Sequence, residues 1–227
     1  MNYFEMNFIE TLETNLSKNR NPEYAILMEN YMKNNFSFFG IKNEPRKTIL
    51  KPLWKQYKSE IKVNFREICW ELFNKNEREF QYCAIEIFIK EFNKKFVKND
   101  IVLIEKLITT NSWWDSVDFI SKYLLGFYLI QFPEDKYKII EKFSNSNNMW
   151  LNRSAIIFQL GYKANTDFEI LISECEKYKE SNQFFIQKAI GWALREYGSY
   201  NPNGVLEYVN STNLKPLSKR EAIRKLI

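Results

Sequence analysis

Residues 182–194 read NQFFIQKAIGWAL, and the same local pattern occurs twice earlier, as EREFQYCAIEIF (77–88) and NMWLNRSAIIFQL (148–160). In each segment a bulky apolar residue stands four positions before an alanine, and isoleucine follows the alanine. The pairs are Phe80 with Ala84, Leu151 with Ala155 and Phe185 with Ala189, and SWWDSVDFI (112–120) fits loosely with Trp113 and Val117. Spacings close to the roughly 33–47 residues of helical-hairpin repeats predict an α-solenoid.

The stretches between these segments support the same fold class. DIVLIEKLITT (100–110) and DKYKIIEKF (135–143) carry apolar residues at helical spacing, and small residues at one place in each repeat let neighbouring helices approach. Six glycines and six prolines are too few for the turns of many short strands. The sequence therefore predicts an all-α chain, and no boundary divides residues 1–227, so we expect a single repeat domain.

Composition limits the chemistry that the chain can perform. It has no histidine, which removes the commonest general base and metal ligand and every Ser/His or Cys/His pair. Cys69, Cys83 and Cys175 never form a CxxC, so we expect buried thiols and neither a zinc site nor disulfides. No window approaches the roughly 18 apolar residues of a membrane span, and the first residues lack a leader pattern. We expect a cytoplasmic protein without metal or cofactor.

The positive charge is unevenly distributed. The net charge is +5, and after an aromatic-rich segment the stretch from residue 42 to residue 62 is rich in lysine and arginine. A basic helix face is usually only solvated, but one beside aromatics favours phosphate contacts. The candidate contact residues are Lys42, Arg46 and Lys47 in that stretch and Lys219 and Arg220 in PLSKREAIRK (216–225).

The stretch NSWWDSVD (111–118) places large aromatics beside carboxylates. Ser112 is a plausible helix N-cap with Asp115 in a capping-box position, and Trp113 is then a core residue. Trp114 and Asp118 are four residues apart and share a helix face. Structural alternatives remain at this point: a salt bridge to an arginine for Asp118 and simple core packing for Trp114.

Five motifs together resemble the AlkD-like family of bacterial DNA alkylation-repair glycosylases, which are built from HEAT-like helical repeats. They occur in the family's order from about residue 22 to the end of the chain. The motifs are YMKNNFSFFGIKNEPR (31–46), NSWWDSVD (111–118), NMWLNRSAIIFQL (148–160), FFIQKAIGWALREY (184–197) and PLSKREAIRK (216–225).

The resemblance implies a HEAT-like α-solenoid of antiparallel helical repeats with a concave DNA-binding face. It also implies that Trp114, Asp118 and Arg153 form the catalytic cluster, with Arg153 anchoring a phosphate or keeping Asp118 ionised. Trp192 and Tyr31 would complete a cradle for the backbone of the damaged nucleotide. Replacement of Asp118 by alanine or asparagine is expected to lower excision while leaving folding and DNA binding largely intact.

The activity implied by the resemblance is excision of cationic N3- and N7-alkylpurines from double-stranded DNA by a monofunctional N-glycosyl hydrolase without base flipping. The protein would act in base excision repair as a monomer in the bacterial cytoplasm, at the nucleoid. One rival is a non-catalytic helical-repeat scaffold that binds DNA, RNA or protein through the same groove. A second rival is a repeat that binds only protein, for which DNA affinity would depend little on salt.

Overall fold

The apolar positions that recur at helical spacing lie on the buried faces of α-helices. The computed structural model describes residues 6–92 and 95–226, and over these ranges it contains α-helices, short 3-10 turns, one π-helical segment and one isolated bridge between Ser37 and Glu77. The chain is 74% helical, which confirms the all-α prediction. None of the helices within the described ranges is long and apolar enough to cross a bilayer.

The chain forms two compact units, Met1–Asn93 and Lys94–Ile227. The expectation of one repeat domain over residues 1–227 stays a prediction. In the first unit α4 packs along α5, and the core between them includes Phe65, Phe88 and Phe92. The helices of this unit are α1 (Phe8–Lys18), α2 (Pro22–Tyr31), α3 (Asn43–Gln56), α4 (Lys58–Phe73) and α5 (Arg78–Phe92).

A buried carboxylate orders the segment between α2 and α3. Glu79, at the start of α5, accepts the backbone N–H groups of Phe39, Gly40 and Ile41 at 2.9–3.0 Å. Gly40 has φ +83°, and a Cβ at this position would lie 2.0 Å from the Asn21 carbonyl oxygen. Only glycine therefore fits this turn. The clamp fixes the backbone that leads directly into Lys42.

The second unit begins with α6 and contains one long helix interrupted in its middle. Residues 114–131 run as α7, a π-helical segment and α8 without a break, and α10 packs against both α7 and the π-helical segment. α10 also contacts α12, which packs closely on α14. The elements are α6 (Asp100–Thr109), α7 (Trp114–Phe119), the π-helical segment (Ile120–Leu125), α8 (Gly126–Gln131), α9 (Lys136–Ser144), α10 (Met149–Ile157), α11 (Phe168–Tyr178), α12 (Phe184–Gly198), α13 (Pro202–Ser211) and α14 (Pro216–Ile223).

The repeated small residues are buried where helices approach one another. Ala84, Val117, Ala155 and Ala189 are all at most 1% exposed, as the repeat pattern predicts. Glycine serves the same purpose on α12, where a Cβ at Gly191 would lie 2.4 Å from the Glu221 Cβ of α14. The three cysteines are free and buried, in agreement with the expectation of buried thiols.

Candidate active site

The helix that carries the candidate acid starts later than the sequence suggested. α7 begins at Trp114, Trp113 occupies the N-cap position with extended backbone, and no side chain caps the helix. The Ser112 hydroxyl instead donates to the Ile108 carbonyl at 2.6 Å, in the last turn of α6. The predicted Ser112 cap is therefore wrong, because this hydroxyl satisfies the end of the preceding helix. Asp115 lies in the first turn of α7, where the helix dipole stabilises a negative charge.

Asp118 and Arg153 form a two-pronged ion pair between α7 and α10. Arg153 Nε donates to Asp118 Oδ1 at 2.7 Å, and Nη2 donates to Oδ2 at 2.9 Å. The third nitrogen, Nη1, donates to the backbone carbonyl of Phe185 at the start of α12. The side chains of Arg153 and Asp118 are 4% and 13% exposed, respectively. Three successive repeats thus contribute to one hydrogen-bonded network.

The environment of Asp118 disfavours the ionised form of its carboxyl group. Burial raises the pKa of the Asp118 carboxyl above its ordinary value, and the negative charge of Asp115 acts in the same direction. The Arg153 guanidinium opposes this rise in pKa through its hydrogen bonds and its positive charge. A carboxylate in such a partly desolvated place interacts more strongly with a nearby cation than one in bulk water does. Perturbed carboxyls of this kind are concentrated at functional sites.

Three aromatic rings pack together, and one of them belongs to Phe185, whose carbonyl accepts from Arg153. The ring centroids of Trp113, Trp150 and Phe185 lie 5.1–5.7 Å from one another, so each ring contacts the other two. Trp113 is half-buried, and its indole N–H is buried without a hydrogen-bond partner in the described part of the chain. The prediction that Trp113 is core thus holds for its packing. The sequence analysis did not single out Trp150 and Phe185. Each lies beside another large apolar residue near the start of a repeat helix, in MW (149–150) and FF (184–185), and this pattern could have indicated them.

Trp114 and Asp118 lie four residues apart in α7, as predicted. The π-helical segment starts two residues after Asp118, and the Gly126 N–H donates to the Ser121 carbonyl five residues earlier. Short π-helical turns inside α-helices frequently lie at functional sites. No pattern in the sequence predicts this segment. It changes which side chains follow Asp118 on the same face.

The other residues predicted for the second unit lie on α12 and α14. Trp192 is partly buried and packs against the core that α12 shares with its neighbours. Lys219 and Arg220 are exposed on α14. α14 is held to α12 by Glu221, which pairs with Lys188 at 3.0 Å and with Arg195 at 2.7 Å.

In the first unit the predicted DNA contacts differ in accessibility. Tyr31 is 67% exposed, and together with Lys42 it lines a largely apolar cleft of about 360 Å³. The Lys42 ammonium lies 3.8 Å from the centre of the Tyr24 ring, which also lines this cleft. Lys47 is partly exposed and pairs with Glu44 at 3.1 Å. These positions leave Tyr31, Lys42 and Lys47 accessible to a ligand.

Arg46 does not lie on the surface that the basic run predicts. It is 4% exposed, and its guanidinium donates to Glu86 at 2.5 Å and to Asn43 at 2.9 Å. A guanidinium buried with its partners is structural, so the prediction that Arg46 contacts DNA is corrected. Lys42, four residues earlier, is exposed, and Lys47, the next residue, is partly exposed, so both are accessible to a phosphate. Within the described ranges no group of three or more Cys, Asp or Glu side chains could hold a metal ion.

Comparison with known proteins identifies the family of this chain. The model of the DNA alkylation repair enzyme family matches residues 12–226. A solved structure described as "Predicted DNA alkylation repair enzyme from Enterococcus faecalis" is similar to this chain, with 33% sequence identity and a TM-score of 0.83. The similarity covers 91% of this chain and 96% of that one. No curated protein matches the sequence. Since the family match spans nearly the whole chain, the protein belongs to the DNA alkylation repair enzyme family.

Proposed function

We propose that the protein is a monofunctional DNA glycosylase that hydrolyses the N-glycosidic bond of cationic N3- and N7-alkylated purines in double-stranded DNA, without flipping the base. Family membership supports a role in alkylation repair on DNA. The proposal of a glycosylase rests on the Asp118–Arg153 pair. The pair holds a carboxylate in a partly desolvated place, one turn after Trp114 at the start of α7.

The chemistry suits a chain without histidine. A purine alkylated at N3 or N7 already carries a positive charge, so it departs without protonation and needs no general acid. As the bond breaks, positive charge develops on the sugar. A carboxylate placed beside that sugar stabilises the charge where it forms. At about 4 Å and an effective dielectric constant near 20, the interaction is worth about 4 kcal/mol as an upper limit.

In this proposal Asp118 stabilises the sugar cation or orients the attacking water, and Arg153 acts on Asp118. The internal hydrogen bonds of Arg153 to Asp118 and to the Phe185 carbonyl favour the role of keeping Asp118 ionised and oriented over that of binding phosphate. Trp114 and Trp192 would offer their ring faces to the deoxyribose and its developing charge, each worth roughly 0.5–2 kcal/mol.

The partner in this proposal is duplex DNA that contains alkylated purines, bound by a monomer in the bacterial cytoplasm without metal or cofactor. Tyr31, Lys42, Lys47, Lys219 and Arg220 would contact the backbone. The alternative is a helical-repeat scaffold that binds DNA without catalysis. Base release separates the two, because a scaffold would bind DNA without excising a base and would use the Asp118–Arg153 pair only as a structural salt bridge.

The test is release of free base from duplex DNA that carries N7-methylguanine or N3-methyladenine, with wild type compared with Asp118→Asn. Glu174→Gln is a matched control, since Glu174 is another buried acid of the same unit and accepts a hydrogen bond from Ser144 at 2.6 Å. Wild type and Glu174→Gln should release base, and Asp118→Asn should not. Release no faster than spontaneous depurination by wild type, together with salt-sensitive DNA binding, would support the scaffold.

A further inference from the structure

The bound nucleotide needs a cation that Arg153 does not supply. The guanidinium of Arg153 is almost fully buried, and it donates to both oxygens of Asp118 and to a backbone carbonyl. Lys188 and Arg195, on α12, are paired with Glu221. A phosphate near Asp118 would therefore have to be met by another cation.

Lys122 is that residue by position. It lies four residues after Asp118, which itself lies four residues after Trp114, so the three side chains are one turn apart along the same helix. Lys122 belongs to the π-helical segment, in which backbone bonds join residues five apart. It is partly exposed, and within the described ranges it forms no ion pair with a carboxylate.

Gly161 shapes the surface beneath Lys122. This glycine has φ +91°, a value that side chains rarely allow, and a Cβ there would lie 3.1 Å from the Lys122 Cε. The aliphatic part of the Lys122 side chain therefore lies close to the backbone of Gly161, in the loop after α10. The Gly161 N–H donates to the Glu196 carboxylate. Glu196 therefore bonds the loop after α10 and forms no ion pair with Lys122. On its other side the Lys122 ammonium lies 5.3 Å from the centre of the Tyr123 ring.

We propose that Lys122 is a DNA-contact residue that binds a backbone phosphate beside the nucleotide held at Asp118. An ammonium whose stem already rests on Gly161 loses less conformational freedom on binding than a fully mobile lysine. The placement of the nucleotide at Asp118 rests on the proposed function, whereas a phosphate contact by Lys122 requires only that the protein binds DNA.

The first experiment measures affinity for an undamaged duplex by fluorescence anisotropy over a series of KCl concentrations. Each phosphate contact contributes about 0.9 to the slope of log affinity against log salt. Lys122→Gln should reduce the magnitude of this slope by about 0.9, and Lys122→Arg should keep it. Lys138→Gln is the matched control, because Lys138 is exposed on α9 and loses the same charge. Equal slopes for the Lys122→Gln and Lys138→Gln proteins would overturn the proposal.

A second experiment locates the contact. Single phosphates around an N7-methylguanine are replaced by neutral methylphosphonates. Replacement at one or two positions next to the lesion should weaken DNA binding by wild type, and the same replacements should not weaken binding by the Lys122→Gln protein. A sensitivity pattern that is identical in both proteins would contradict the contact. If wild type releases base but Lys122→Gln leaves the salt slope unchanged, only the Lys122 proposal is overturned. If Lys122→Gln lowers the slope as expected but wild type releases no base, only the glycosylase proposal is overturned.

Discussion

Asp118 illustrates how one residue can be both costly and useful. Its carboxylate is mostly buried, and the two-pronged bond from Arg153 compensates for the lost water. Removing one member of a buried pair leaves the other uncompensated. This changes the sequence-based expectation that folding is largely intact in Asp118 variants, because the sequence alone did not reveal how deeply the pair lies.

Asp118→Asn should therefore lower stability as well as excision. Asparagine keeps one oxygen for Arg153 but not the charge, so we expect a loss of about 1–3 kcal/mol in the free energy of unfolding. Urea unfolding followed by circular dichroism measures it. A variant as stable as wild type would mean that the pair is exposed to water in solution. Excision should be compared at temperatures where both proteins are folded.

The pH dependence of excision should follow the carboxyl of Asp118. Its pKa is raised by burial, so the active, ionised form is lost at a higher pH than for an ordinary aspartate. The single-turnover excision rate should rise with pH through this raised pKa and then level off.

Single-turnover rates from acid to neutral pH, corrected for spontaneous depurination, test this prediction. Glu174→Gln should keep the profile of wild type. A profile that is flat through the acid range, or that falls as pH rises, would show that ionisation of Asp118 does not control the step.

At the scale of elements, the close approach of α12 and α14 decides where Trp192 and the cations of α14 lie. Gly191 permits this approach, since a Cβ there would lie 2.4 Å from the Glu221 Cβ and 2.9 Å from the Ser218 carbonyl oxygen. The Glu221 side chain then bonds Lys188 and Arg195 across the same contact. A single hydrogen atom in place of a side chain thus sets the spacing of two helices.

Gly191→Ala should destabilise the protein even though alanine favours helices. The overpacked contact is expected to cost about 1–3 kcal/mol, which outweighs the helix propensity gain of about 1 kcal/mol. Thermal unfolding measures the net effect. Gly204→Ala on α13 is the comparison, because the nearest atoms to a Cβ there belong to the side chain of Asn201, the N-cap of α13, and not to another helix. A Gly191→Ala protein more stable than wild type would show that α14 can shift freely.

For the whole molecule, the question is how its surplus of positive charge is used. Six phosphate contacts would give a slope of log affinity against log salt near −5. Simultaneous replacement of Lys219 and Arg220 by glutamine should reduce the magnitude of this slope by about 1.8, since both side chains are exposed on α14.

Arg46→Gln is the control for charge alone. Arg46 is buried against Glu86, so its replacement should lower the melting temperature but leave the salt slope unchanged. DNA binding measured over a salt series, with unfolding curves for the same proteins, separates the two effects. A reduced slope for Arg46→Gln would place its guanidinium on the DNA after all, and a salt-independent affinity of wild type would favour a protein-binding repeat.

The sequence by itself determined the fold class, and motif resemblance proposed the acid. Apolar periodicity specifies which face of each helix is buried, and the repeated alanines mark the contacts between neighbouring helices, so both could be read from local spacing. The spacing of Trp114 and Asp118 likewise follows from the geometry of a single helix. Motif resemblance added Arg153, whose pairing with Asp118 the structure then displayed.

Only the tertiary structure decided which charges face a ligand. Arg46 and Lys47 are adjacent in sequence, yet one is buried against Glu86 and the other is accessible. Ser112 was expected to cap the helix that follows it but bonds the helix that precedes it. The π-helical segment that contains Lys122 was also invisible in the sequence. The reason is physical: the burial of Arg46 depends on Glu86, 40 positions away in the chain, which no local pattern contains.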